Sequence, residues 1–135
     1  MKTLSLPILL CMLLSGCAAT MDLSKPPPAD WPIKQVNVYV VAKPIVEEIC
    51  ACHGLLFACT LFYPRQGIAE IWLPLGYSPQ HREHEKLHAL GYDHVGGLTI
   101  QQMMEDYRAG VVRESRMCPE RMDEYRKLPF TVEYQ

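Results

Sequence analysis

The chain has 135 residues, a net charge of −2 and a pI near 6.2, which is room for one domain. Hydrophobic residues make up 49% and charged residues 21%, the balance of a globular chain rather than a disordered one. The basic excess needed to capture nucleic acid or an anionic membrane surface is missing, which sets those partners aside.

The N-terminus reads as an export signal. Met1-Lys2 is a short positive start, and Leu4 to Leu14 is an apolar run too short to span a membrane comfortably. Leu14-Ser15-Gly16-Cys17 resembles a bacterial lipobox, in which small residues precede a cysteine that is lipidated. That resemblance implies a signal peptide over residues 1–16 and a lipid-bearing Cys17, with palmitate-type acyl chains as the only membrane anchor. The competing expectations are cleavage after Ala18 or Ala19, or an uncleaved anchor. Ala18 lacks the acidic character linked to inner-membrane retention, so the implied address is the outer membrane, facing the periplasm. Residues 17–34 then form a tether, because Lys25-Pro26-Pro27-Pro28 favours an extended polyproline course without core packing. Trp31 is where the chain is expected to start docking.

Cys11 leaves with the signal. Cys50, Cys52, Cys59 and Cys118 remain, and four cysteines in an exported domain point to two disulfides. Cys50 and Cys52 are too close to pair, so each is expected to join Cys59 or Cys118, in an order that spacing does not decide. Metal ligation by Cys50, or by Cys52 with His53, is the alternative.

The domain over residues 35–135 is expected to be α+β. Val36 to Val41 is β-branched and partly alternating, hence a strand. Lys43 to Cys50 suits a short helix with Pro44 in its first turn and Ile45, Val46 and Ile49 inward. Leu55 to Tyr63 reads as a buried strand. Pro64-Arg65-Gln66-Gly67 turns it into a hairpin with Ile68 to Leu73. Ser78 is a candidate N-cap with Pro79 at the first helical position. Leu87 and Leu90 are the expected core contacts of that helix. Further helices are expected over Ile100 to Ala109, capped by Thr99 and ended by Gly110, and over Pro119 to Lys127.

The most informative stretch is His84 to His94, which reads HExxHxxGxxH. On a helix, His84 and His88 project from one face. Two imidazoles there can hold a zinc ion and leave positions open for a third ligand and a water. Glu85 stands beside the first ligand, where a carboxylate can take a proton from that water. Gly91 can close the helix with a positive φ and return His94 to the same ion. His81 is either a surface histidine or a group outside the ligand shell.

These eleven residues resemble the zinc-binding consensus of the metzincin clan of metallopeptidases. The resemblance implies a small zincin-like domain with a short mixed sheet packed on the active-site helix and a C-terminal helix. It implies one Zn²⁺ on His84, His88 and His94, and a peptide or protein substrate cleaved by a zinc-activated water with Glu85 as general base. It also implies that Ile68 to Leu73 edges the substrate cleft, and that a methionine lies below the metal. Met117, in Ser115-Arg116-Met117-Cys118-Pro119, is the candidate for that turn, with Met103 and Met104 as rivals. Tyr92, Tyr107 and Tyr125 are candidate oxyanion donors, and Asp93 is expected to orient a neighbour or face solvent. Two other functions compete: a catalytically silent zinc-binding lipoprotein of the envelope, and an interaction lipoprotein whose histidines are incidental. Retention of Glu85 argues against the first, because a structural zinc needs no base and usually has four protein ligands.

Overall fold

The computed structural model describes residues 23–55, 57–111 and 118–135. Cys17 and Met117 lie outside those residues. The elements run β1 (Gln35–Val41), α1 (Lys43–Cys52), β2 (Cys59–Tyr63), β3 (Ile68–Pro74), α2 (Pro79–Ala89), α3 (Thr99–Arg108), α4 (Met122–Tyr125) and β4 (Phe130–Tyr134). They form an α+β architecture around one mixed sheet in the order β2-β3-β1-β4. β1 runs parallel to β3, with Val36 opposite Ala69 and Tyr39 opposite Trp72. β4 lies antiparallel to β1, and β2 antiparallel to β3.

Side chains alternate between the two faces of a strand, and both faces here are covered. Val36 and Val38 of β1, with Ala69, Ile71 and Leu73 of β3, pack with Ile33 and with Ala89 of α2. Tyr39, Val41, Leu61 and Trp72 point the other way, towards Val46, Ile49 and Cys50 of α1 and Met122 and Tyr125 of α4. Tyr39 stacks on Trp72 with ring centroids 3.9 Å apart. The metal-motif helix α2 therefore owns one face of the sheet, and α1 with α4 owns the other.

One charge is buried in the α1 face. Glu70 is 5% exposed, and a buried carboxylate is tolerable only when paired and hydrogen-bonded. Arg126 Nε donates to it at 3.0 Å and the Tyr63 hydroxyl at 3.2 Å. Burial, and after it the Glu70 charge, pushes the Tyr63 phenol up to about 12. The cluster ties the C-terminal segment to the middle of the sheet.

Several expectations change. The strand expected over Leu55 to Tyr63 begins only at Cys59, because Leu55 donates its amide back to Cys50 to end α1, and Phe57 has φ 67, outside strand geometry. The helix expected over Pro119 to Lys127 contracts to the four residues of α4, and no C-terminal helix closes the domain. A strand, β4, does so instead. Its sequence Phe-Thr-Val-Glu-Tyr is rich in strand formers. β3 is interior rather than an edge; β2 and β4 are the edges. Leu87 and Leu90 are exposed at 38% and 40%. α2 faces the sheet with Glu85 and Ala89 instead.

The proline-rich segment also differs from its expected free course. Leu23 and Ile33 are buried, Lys25 forms a β-bridge with Asp93, and Trp31 Nε1 donates to the Ala89 carbonyl at 3.0 Å. Proline favours extension, but an extended segment can still dock when its partners supply donors and apolar surface.

The cysteines meet in two pairs. Cys50 faces Cys59, and Cys52 faces Cys118, each with Cα atoms 5.7 Å apart, the separation a disulfide takes.

Candidate metal centre

α2 begins where its sequence provides a start. Ser78 Oγ accepts the His81 amide, and Pro79 occupies the first turn. It ends where the sequence forces a stop. Gly91 has φ +97, and its amide donates to the His88 carbonyl while the Tyr92 amide donates to Leu87. These two bonds are the Schellman pattern of a glycine-terminated helix. The chain leaves α2 at a sharp angle and returns alongside it.

That turn brings His94 to the two helix histidines. One ring nitrogen from each of His84, His88 and His94 lies within 4.8 Å of the others, and all three residues are partly buried. Ring centroids are 4.8 Å apart for His84 and His88, 5.1 Å for His84 and His94, and 4.9 Å for His88 and His94. Among the described residues this is the one cluster of three or more possible ligands. His81 is exposed and outside it, and so is His53, whose Nε2 lies 2.9 Å from the Cys118 carbonyl.

The second nitrogen of each ring helps decide its role. His88 Nδ1 lies 2.9 Å from the Tyr92 carbonyl, so it carries the proton and leaves Nε2 free as a ligand. His94 Nδ1 is buried and has no hydrogen-bond partner among the described residues. A buried ring nitrogen without a protein partner is costly, so His94 carries an unmet bonding demand. Burial, reinforced by the neighbouring His88 and partly offset by Glu85, pulls His84 below the ordinary imidazole value. Burial also pulls His88 down, against its bond to Tyr92. Both shifts favour neutral rings, the form that binds a metal. The donor set can therefore hold a divalent ion with open positions; three imidazoles suit zinc, copper, nickel and iron alike.

Glu85 is 8% exposed and turned towards β2. Thr60 Oγ1 lies 2.7 Å from its Oε2 and 3.1 Å from its backbone carbonyl. A hydroxyl has one proton to give, and the shorter contact to a charged acceptor takes it. Burial raises the Glu85 carboxyl above the usual range, while the Thr60 bond works the other way.

Asp93 is 5% exposed. Its Oδ1 accepts the His94 amide at 2.8 Å, and its Oδ2 accepts the Ile100 amide at 3.4 Å. Asp93 thus serves the start of α3, where Thr99 was the expected cap; the residue preceding α3 is Leu98, which makes no side-chain cap. The direction of Asp93 depends on the fold, because one of its partners, the Ile100 amide, lies seven residues away. Tyr125 leaves the list of oxyanion candidates, since it packs on the α1 face and its hydroxyl donates to Glu48. Tyr92 and Tyr107 are half-buried. Thr60 was not singled out from sequence, because a Thr in a strand carries no motif. No protein-family model matches the chain, and no curated protein or solved structure does either.

Proposed function

We propose that the chain is a zinc-dependent endopeptidase of metzincin-like type, held at the bacterial envelope by a lipid on Cys17. The observation that carries this reading is the convergence of His84, His88 and His94 beside a buried Glu85 that Thr60 orients. A sheet with the motif helix across one face supports a zincin-like domain. Three protein ligands with open positions and an adjacent carboxylate fit a catalytic zinc better than a structural one.

A zinc ion held there supplies Lewis acidity and an acidified water. The three imidazoles bind as neutral donors, and the Tyr92 carbonyl fixes the His88 ring. Glu85 accepts a proton at its carboxylate and returns it to the leaving amine, a task suited to a carboxyl raised towards neutrality by burial. Thr60 holds that carboxylate in one orientation. An extended substrate has the outer edge of β2, rather than interior β3, against which to pair. The two facing cysteine pairs form disulfides in the oxidising envelope, and the implied address is the outer membrane. Leu23, which is buried, lies six residues after Cys17, so it sits within about 22 Å of the anchor.

A peptide-library cleavage profile of the wild type beside Glu85→Gln tests activity and preference together. Cleavage by the wild type, lost in Glu85→Gln with zinc retained, supports the reading. A zinc-loaded wild type that cleaves nothing, and is indistinguishable from Glu85→Gln, supports the silent metal-binding lipoprotein instead. Cys17→Ser is expected to leave the membrane fraction; unchanged membrane association removes the lipid anchor.

A further inference from the structure

His84 and His88 are positioned by α2 itself, but His94 stands on a loop between two helices. What holds that loop is the segment before β1. The Asp93 amide donates to the Lys25 carbonyl at 3.1 Å, and Lys25 Nζ donates to the Gly97 carbonyl at 2.8 Å. One residue therefore grips the ligand loop on both sides of His94. Trp31 Nε1 takes the Ala89 carbonyl at the end of α2. Asp30 meets the Arg108 guanidinium of α3 with two bonds, 2.8 and 2.6 Å.

The fit is close at the turn itself. A Cβ on Gly91 would stand 2.7 Å from Pro27 Cβ and 2.8 Å from Trp31 Cδ2. A Cβ on Gly97 would stand 2.6 Å from Asp93 Oδ1. Glycine is needed at both places, with the segment packed against the first and the loop's own carboxylate against the second. Backbone groups of a loop must find partners or lose definition, and here the partners of Asp93 and Gly97 come from Lys25.

We propose that residues 23–31 form a strap that presets the third metal ligand, with Lys25 as its positioning residue. This rests on the metal reading of His84, His88 and His94. The segment leading from the anchor is then part of the metal site rather than a passive spacer. Coupling of this kind is reciprocal: if the strap favours metal binding, metal binding must favour the docked strap.

The test uses the full chain. Zinc affinity is read by competition with a chromophoric chelator, and ligand geometry by the visible absorption of the Co²⁺-substituted protein. Lys25→Met removes the ammonium donor and keeps the aliphatic stem. It is expected to weaken zinc binding about 10- to 100-fold, the effect of losing a group that orients a ligand, and to change the Co²⁺ spectrum. Lys25→Arg, which keeps a donor, is expected to recover part of the affinity. Hydrogen exchange on the wild type needs no variant: zinc is expected to slow exchange of the Asp93 amide. Wild-type affinity and spectrum in Lys25→Met overturn the strap, as does an Asp93 amide that zinc leaves unprotected; the second measurement decides alone if Lys25→Met does not fold. A wild-type chain that takes up no zinc overturns the metal site itself.

Discussion

Thr60 on β2 holds Glu85 on α2 through a 2.7 Å hydrogen bond between two buried side chains. It links the edge strand of the sheet to the carboxylate beside His84. Thr60→Val keeps the volume and the strand preference and removes the donor. A hydrogen bond to a charged group contributes about 1.5–3 kcal/mol, and each 1.36 kcal/mol of barrier is tenfold in rate. Thr60→Val is expected to lower kcat about tenfold or more with KM little changed, measured by peptide cleavage. A full wild-type kcat excludes Thr60 as the group that orients Glu85.

Metal uptake is expected to resist mild acid. Protons compete with the metal for the ring nitrogens, and the neutral rings are the ligands. Burial lowers His84 and His88 below the usual imidazole value. Each ring then stays neutral into more acidic solution than a free histidine would. At a fixed free-zinc concentration, occupancy should fall at lower pH than it would for ordinary imidazoles, and in the metal-free chain the His84 and His88 rings should titrate below a free histidine, which NMR of the ring protons reads. Rings that titrate at or above the free-histidine value contradict the depressed pKa values.

Arg126 is the cation beside buried Glu70, at 3.0 Å. Removing one partner leaves an uncompensated charge in the core. Because the Arg126 side chain is 32% exposed, the expected loss for Arg126→Met is about 2–3 kcal/mol, towards or below the lower end of the range for fully buried pairs. Urea unfolding measures it. Adding Glu70→Gln should recover part of the loss, because the stranded charge goes with it; purely additive destabilisation argues against coupling between the two residues.

The cysteine pairs enclose loops of very different length, with sequence separations of 9 for Cys50–Cys59 and 66 for Cys52–Cys118. Chain entropy makes the longer closure worth about 4 kcal/mol and the shorter about 2.5 kcal/mol. Cys52→Ser with Cys118→Ser should therefore lower the urea midpoint more than Cys50→Ser with Cys59→Ser. Thiol titration under denaturing conditions checks the bonds directly, and four free thiols before reduction rule them out.

What the sequence determined by itself was local. Ser78-Pro79 starts a helix through its own side chain, Gly91 ends it because a left-handed turn is cheapest for glycine, and the i, i+4 spacing puts His84 and His88 on one face. The strands at Val36 and Ile68 and the hairpin between β2 and β3 are legible for the same reason: alternation and turn chemistry act over a few residues. Tertiary structure decided the rest. Which cysteine faces which, and whether Asp93 points inward, depend on elements far apart in the chain. The inward face of α2 is decided by the sheet it packs on, which takes Glu85 and Ala89 and leaves Leu87 and Leu90 exposed. The exchange of a C-terminal helix for β4 depended on β1 having an open edge. The proline segment looked like a spacer because composition reports how a chain extends, and only packing reports that Lys25 closes on both sides of His94.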